Sequence, residues 1–177
     1  AGVTDPALEP LCVDVKAGDS RYLQTSPEYS MKRLLAAGSG DIFQISKAFR
    51  ADELGRRHNP EYTLLEWYRL GFDHHELLRE VAELLSQLLR INSWEVWPWH
   101  ALFENILSIN PDQATEGELA QCASSALGQP LPELDRNGVL DLLMSHVIEP
   151  AIACRGMVFI VDYPASQAAL ARCFERD

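Results

Sequence analysis

The chain has 177 residues, 47% hydrophobic and 23% charged, the make-up of an ordinary soluble globular protein with enough length for one sizeable core. No apolar run approaches the roughly 20 residues of a membrane span, and the first residues do not resemble a signal peptide, so a cytoplasmic protein without membrane contact is expected. Twenty-six acidic residues against 15 basic ones leave a net charge of −11, and a surface of that sign repels a phosphate backbone, so extended tRNA binding is not expected. Cys12, Cys122, Cys154 and Cys173 lie far apart without Cys-x-x-Cys or His/Cys spacing, so reduced thiols and no metal ligands are expected.

In chain order, residues 1–21 read as loop, with Pro6, Pro10 and Gly18 and no sustained period. Thr25-Ser26-Pro27-Glu28 opens a helix, with Ser26 as N-cap, Pro27 in the first turn and Glu28 beside the positive helix end. Met31, Leu34 and Leu35 form its apolar stripe and Gly38 stops it. A strand follows over 41–46, leading to Phe49-Arg50, and a second runs from Tyr62 towards Phe72. Period two places Tyr62, Leu64, Glu66 and Tyr68 on one face of that strand, an exposed face suited to a ligand.

Asp73 and Glu76 start a helix that keeps its period to about Leu89, with His74-His75 as surface residues of its first turn. Residues 97–107 read as a short amphipathic segment, and Trp94, Trp97 and Trp99 as packing of a helical insert over about 73–155. Thr115-Glu116-Gly117-Glu118 is a capping box opening a helix to about Leu127, broken by Gly128, Pro130 and Pro132. Asp135 caps a further helix ending near Pro150, and Met157 to Tyr163 is a continuous apolar run, read as a buried strand. The order strand pair, helices, strand predicts an α+β fold with an antiparallel sheet flanked by helices.

The chemistry-bearing run is Phe49-Arg50-Ala51-Asp52-Glu53-Leu54-Gly55-Arg56-Arg57-His58-Asn59-Pro60-Glu61-Tyr62, continuing to Glu66-Trp67-Tyr68-Arg69. A guanidinium at a strand end offers a planar fork of donors to a phosphate oxygen; alone, it would better suit a surface pair with Asp52 or Glu53, and the whole run reverses that preference. Glu28, Glu66 and Tyr68 add two carboxylates and a hydroxyl suited to a substrate ammonium, although Glu28 also reads as a first-turn helix charge. His58 reads either as a phosphate contact or as a solvated loop residue.

The run resembles the second signature motif of class II aminoacyl-tRNA synthetases in its lysine-specific form, where Arg-His-Asn-Pro-Glu-aromatic-Thr is characteristic. Three runs together resemble the elongation factor P–(R)-β-lysine ligase family: Tyr-Leu-Gln-Thr-Ser-Pro-Glu-Tyr-Ser-Met-Lys-Arg-Leu-Leu (22–35), the run at 49–69, and Tyr-Pro-Ala-Ser-Gln-Ala-Ala-Leu-Ala (163–171). The resemblance implies an ATP-dependent ligase that forms an adenylate of (R)-β-lysine, or of lysine, and passes it to a lysine of elongation factor P.

By the same resemblance, Arg50 is catalytic at the α-phosphate, and Arg50, Ala51, Asp52, His58, Asn59 and Tyr62 hold ATP. Ser26, Pro27, Glu28, Glu66 and Tyr68 hold the amino acid. Asp52 is one methylene shorter than the family's usual glutamate, and Tyr62 replaces the commoner phenylalanine. The family's first and third motifs, and the carboxylates that would hold Mg2+, are not found in the chain. It therefore reads as a partial catalytic domain over 1–177, inactive alone, from a full-length homodimer. A lysyl-tRNA synthetase fragment and a non-catalytic synthetase-derived binding module are the competing readings.

Overall fold

The computed structural model describes residues 8–16, 19–51, 55, 59–168 and 171–173. The expectations placed on Asp52 and His58 fall outside the described residues. The chain divides into two compact units, residues 1–77 and 78–177.

In the first unit, strands β1 (Cys12–Lys16) and β2 (Asp19–Tyr22) form an antiparallel pair. This corrects the loop expected over 1–21. Val13 and Val15 alternate with Asp14 and Lys16, a short strand signal overshadowed by the neighbouring prolines and glycine. Helix α1 (Glu28–Ala36) starts one residue later than the expected Ser26 cap allows, with Pro27 at the N-cap position. Proline has no side-chain acceptor, and the Ser26 hydroxyl instead accepts from the Glu28 backbone N–H at 3.1 Å. Gly38, at φ 87°, takes the left-handed turn after the helix.

Strands β3 (Ile42–Phe49) and β4 (Glu61–Tyr68) pair antiparallel in unbroken register from Ile42 opposite Tyr68 to Phe49 opposite Glu61. Helix α2 (His74–Leu89) follows, its start closed reciprocally: Glu76 N–H donates to Asp73 Oδ1 at 2.8 Å and Asp73 N–H to Glu76 Oε2 at 2.9 Å.

In the second unit, β5 (Trp94–Pro98) runs directly into helix α3 (Trp99–Leu107). The expected amphipathic segment at 97–107 is thus a strand end plus a helix. Helix α4 (Glu116–Leu127) carries the predicted capping box from Thr115 and Glu118, and Gly128 at φ 67° closes it. Helix α5 (Arg136–Leu143) is capped by Asp135, which accepts from Gly138 N–H at 2.8 Å.

The chain then widens into a π-helical turn over Met144–Ile148 and continues as α6 (Glu149–Ile152), past the Pro150 at which an end was expected. Pro150 has no N–H to offer the carbonyl of His146, and a wider turn lets the helix continue through that gap.

Strand β6 (Met157–Val161) pairs parallel to β5, from Trp94 opposite Met157 to Pro98 opposite Val161. Mixed helices and strands agree with α+β, and among the described residues there are three two-stranded sheets, two of them antiparallel and one parallel. A parallel pair needs a long crossover, which α3 to α6 supply. The core of this unit lies between those helices, with Leu102, Phe103, Leu119, Leu143 and Ile148 at 1% exposure or less. Trp99 belongs to it and meets Phe103 at 4.3 Å between ring centroids, whereas Trp94 stays 40% exposed, edge-on to Phe159. No described helix is long and apolar enough to cross a membrane.

Candidate functional site

The register of β3 and β4 decides which side chains meet. Opposed residues share a face, so Tyr62, Leu64, Glu66 and Tyr68 stand with Ala48, Ser46, Gln44 and Ile42. Burial alternates accordingly: Ala48 is fully buried and its face-mates are partly covered, while Phe43 (72% exposed) and Ile45 (65%) occupy the other side. The face carrying the candidate residues is therefore the more covered one, not the exposed surface expected from the strand pattern.

The segment just before α1 covers it. Phe49 N–H donates to the Gln24 carbonyl at 2.9 Å, and the Gln24 side-chain amide donates to the Lys47 carbonyl at 2.7 Å. Thr25 is 6% exposed, and its carbonyl accepts from Arg50 Nε at 3.4 Å. One residue on, the Ser26 hydroxyl donates to Glu66 Oε2 at 2.7 Å. The adjacent residues Thr25 and Ser26 thus touch the arginine at the end of β3 and the carboxylate in the middle of β4.

Glu66 is held on both oxygens, because the Tyr68 hydroxyl donates to Oε1 at 2.7 Å. Burial, followed by that hydrogen bond and the charges of Glu66 and Glu28, pushes the Tyr68 hydroxyl well above its ordinary value of 10.0, so it remains a donor at neutral pH. Glu28 lies in the first turn of α1 and receives the Lys32 ammonium on Oε1 at 2.5 Å, one turn further along the helix. Pro27 is fully buried and fixes the turn that places Ser26 and Glu28.

At the other end of the face, Arg50 N–H donates to the Pro60 carbonyl at 2.9 Å, and its guanidinium carbon lies 5.4 Å from the Tyr62 ring centre. That is cation–π range, so the ring helps to hold the guanidinium at the strand end. The Tyr62 hydroxyl is shielded from solvent. Ala51 N–H donates to the Glu9 carbonyl at 2.9 Å, and Asn59 is exposed at the start of the return into β4.

The structure therefore brings Arg50 and Tyr62 together, and separately Ser26, Glu66 and Tyr68, with Thr25 and Ser26 joining the two groups. Sequence reading missed Gln24, the Thr25 carbonyl and Lys32. Of these only Lys32 left a local signal, its four-residue spacing from Glu28.

Such a face offers a guanidinium with an aromatic ring at one end and two carboxylates with two hydroxyls at the other. It suits a ligand that is anionic at one end and carries an ammonium at the other. Among the described residues, no group of three or more His, Cys, Asp or Glu side chains is placed to hold a metal ion.

Residues 8–177 match the family described as tRNA synthetases class II (D, K and N). The chain belongs to that family. Among class II relatives it is 50% identical over 157 residues to a Vibrio cholerae protein named elongation factor P–(R)-β-lysine ligase, covering 88% of this chain and 48% of that protein. Proteins of the same name from Pseudoalteromonas translucida and Haemophilus influenzae are 44% and 41% identical, over 91% and 99% of this chain and 50% and 56% of theirs. The chain spans about half the length of the curated relatives it matches.

Proposed function

We propose that the protein to which this chain belongs is an ATP-dependent ligase that activates (R)-β-lysine, or lysine, and transfers it to a lysine side chain of elongation factor P. The names of the relatives support the substrate and the partner. The observation that carries the reading here is the pair Thr25–Ser26, which sets Arg50 and Glu66 along one covered hairpin face.

In the first step a carboxylate oxygen of the amino acid attacks the α-phosphorus of ATP, and pyrophosphate leaves with the electron pair of the broken P–O bond. Arg50 stabilises the charge that develops on the α-phosphate oxygens. The Tyr62 ring, the Ala51 and Asn59 positions, and Asp52 and His58 by family resemblance place the nucleotide. Ser26 and Pro27 shape the turn, while Glu28, Glu66 and Tyr68 face the substrate ammonium groups, which need anionic partners once out of water.

In the second step an ε-amine attacks the acyl carbon, AMP leaves, and the amine proton is lost to solvent. Positioning and charge carry both steps, without covalent help from the chain. Mg2+ bound with ATP would supply further charge neutralisation on the phosphates. The acidic balance of the chain favours a protein acceptor over extended contact with tRNA.

The test is ATP–pyrophosphate exchange by the full-length protein with lysine or (R)-β-lysine, followed by labelling of elongation factor P. Exchange that depends on a lysine-type acid, with label reaching the factor, is the expected outcome. Exchange with neither acid would overturn the reading.

A further inference from the structure

The candidate site contains an ammonium of its own. Lys32 Nζ sits 2.5 Å from Glu28 Oε1, on the carboxylate that the proposed function gives to a substrate ammonium. A lysine head carries the same chemical group as the proposed substrate, so the two compete for one seat.

The neighbouring carboxylate is arranged differently. Glu66 is satisfied by two hydroxyls, from Ser26 and Tyr68, which leave its negative charge in place for a ligand. Glu28 is neutralised by an ion pair within its own helix. That pair is half-exposed, with side-chain exposures of 47% for Lys32 and 29% for Glu28, and ion pairs at this helical spacing are weak. An incoming ammonium displaces it at small cost, and the freed lysine moves into solvent on its flexible stem.

We propose that Lys32 is a resident competitor for the substrate ammonium at Glu28, so that it sets the affinity of this site for lysine-type acids without touching ATP. The inference rests on the proposed function of Glu28 and adds the group that opposes it. A ligand lacking an ammonium leaves the Lys32–Glu28 pair closed. A lysine-type acid opens it, and the price appears in substrate affinity rather than in the chemical step.

The experiment compares Lys32→Met, Lys32→Arg and Lys47→Met in the full-length protein by pyrophosphate exchange and by calorimetric binding of lysine or (R)-β-lysine. Lys47 pairs with Glu61 at 2.9 Å away from this carboxylate, so its variant controls for the change in net charge. Lys32→Met is expected to lower KM and Kd for the amino acid about two- to fivefold, with kcat and the KM for ATP unchanged. Lys32→Arg, which keeps a cation on the helix, and Lys47→Met are expected to stay at the unsubstituted values.

An unchanged or raised KM in Lys32→Met, or an equal fall in Lys47→Met, overturns the inference while the lysine-dependent exchange of the parent protein still stands. No lysine-dependent exchange in the unsubstituted protein overturns the proposed function, and this inference with it.

Discussion

At the scale of single residues, the two ends of the hairpin face make separable demands. Arg50 is held by the Thr25 carbonyl and by the Tyr62 ring, so its guanidinium stays at the strand end while its net charge is retained. Glu66 keeps its charge between two hydroxyl donors. Arg50→Ala is therefore expected to cost roughly two to three orders of magnitude in exchange rate, the usual loss for one donor aimed at developing charge. Glu66→Gln is expected to raise the KM for a lysine-type acid by about 30-fold or more, with the KM for ATP little changed, since an ammonium would lose its charged partner. Steady-state exchange kinetics with each ligand varied in turn read both effects, and equal weakening of amino acid and ATP by Glu66→Gln would remove the residue from the amino-acid end. Tyr62, Glu66 and Tyr68 were legible as a group because strand periodicity fixes their shared face, whereas Arg50 stood out through the motif that its run resembles. The Ser26–Glu66 hydrogen bond was not, because it joins residues 40 apart and no local pattern encodes that approach.

At the scale of elements, what is written locally was legible and what depends on a distant partner was not. The start of α4 is the clearest local case. Thr115 Oγ1 accepts from Glu118 N–H at 3.3 Å, while the Glu118 carboxylate accepts from Thr115 N–H and from its hydroxyl, each at 2.8 Å. Those two donors, the backbone one foremost, hold Glu118 below its ordinary value of 4.5. A lowered carboxylate value means a contribution that is fully present above that ordinary value and is lost as pH falls through the folded-state value. Thr115→Ala is expected to cost about 1 kcal/mol at neutral pH by loss of the cap. The gap between variant and parent is expected to narrow below about pH 4.5, as Glu118 takes up its proton. Urea titrations at neutral and acid pH measure the gap, and one that stays constant on acidification would show that the hydroxyl–carboxylate contact adds nothing. Strand β5 is the opposite case. Its five residues include two tryptophans and a proline, which read as packing of a helical insert, and the partner that makes them a strand lies at Met157–Val161, beyond four helices. Strand β1 failed for a related reason: Val13 and Val15 alternate correctly, but a strand this short is settled by its pairing with β2.

At the scale of the whole molecule, the two units differ in how much core each holds. Residues 78–177 gather Trp99, Leu102, Phe103, Leu119, Leu143 and Ile148, all at 2% exposure or less, inside a helical layer that also carries the β5–β6 pair. Arg136 ties that layer internally, donating to the carbonyls of Ala114 at 2.8 Å and Pro111 at 2.5 Å. Among the described residues of the first unit the fully buried side chains are fewer, led by Met31, Pro27 and Ala48, and the hairpin leaves Phe43 and Ile45 exposed. Because stability follows buried apolar surface, the second unit holds the larger share of it. A polypeptide of residues 74–177, which keeps α2 whole, is expected to retain helical circular dichroism and to unfold in one cooperative transition. Within it, Leu143→Ala is expected to cost about 2–5 kcal/mol, because Leu143 is fully buried and its loss leaves a cavity among tightly packed neighbours. Thermal and denaturant melts of the polypeptide and its variant decide the point. A non-cooperative melt, or a Leu143→Ala variant as stable as its parent, would mean that this core depends on packing from outside residues 74–177.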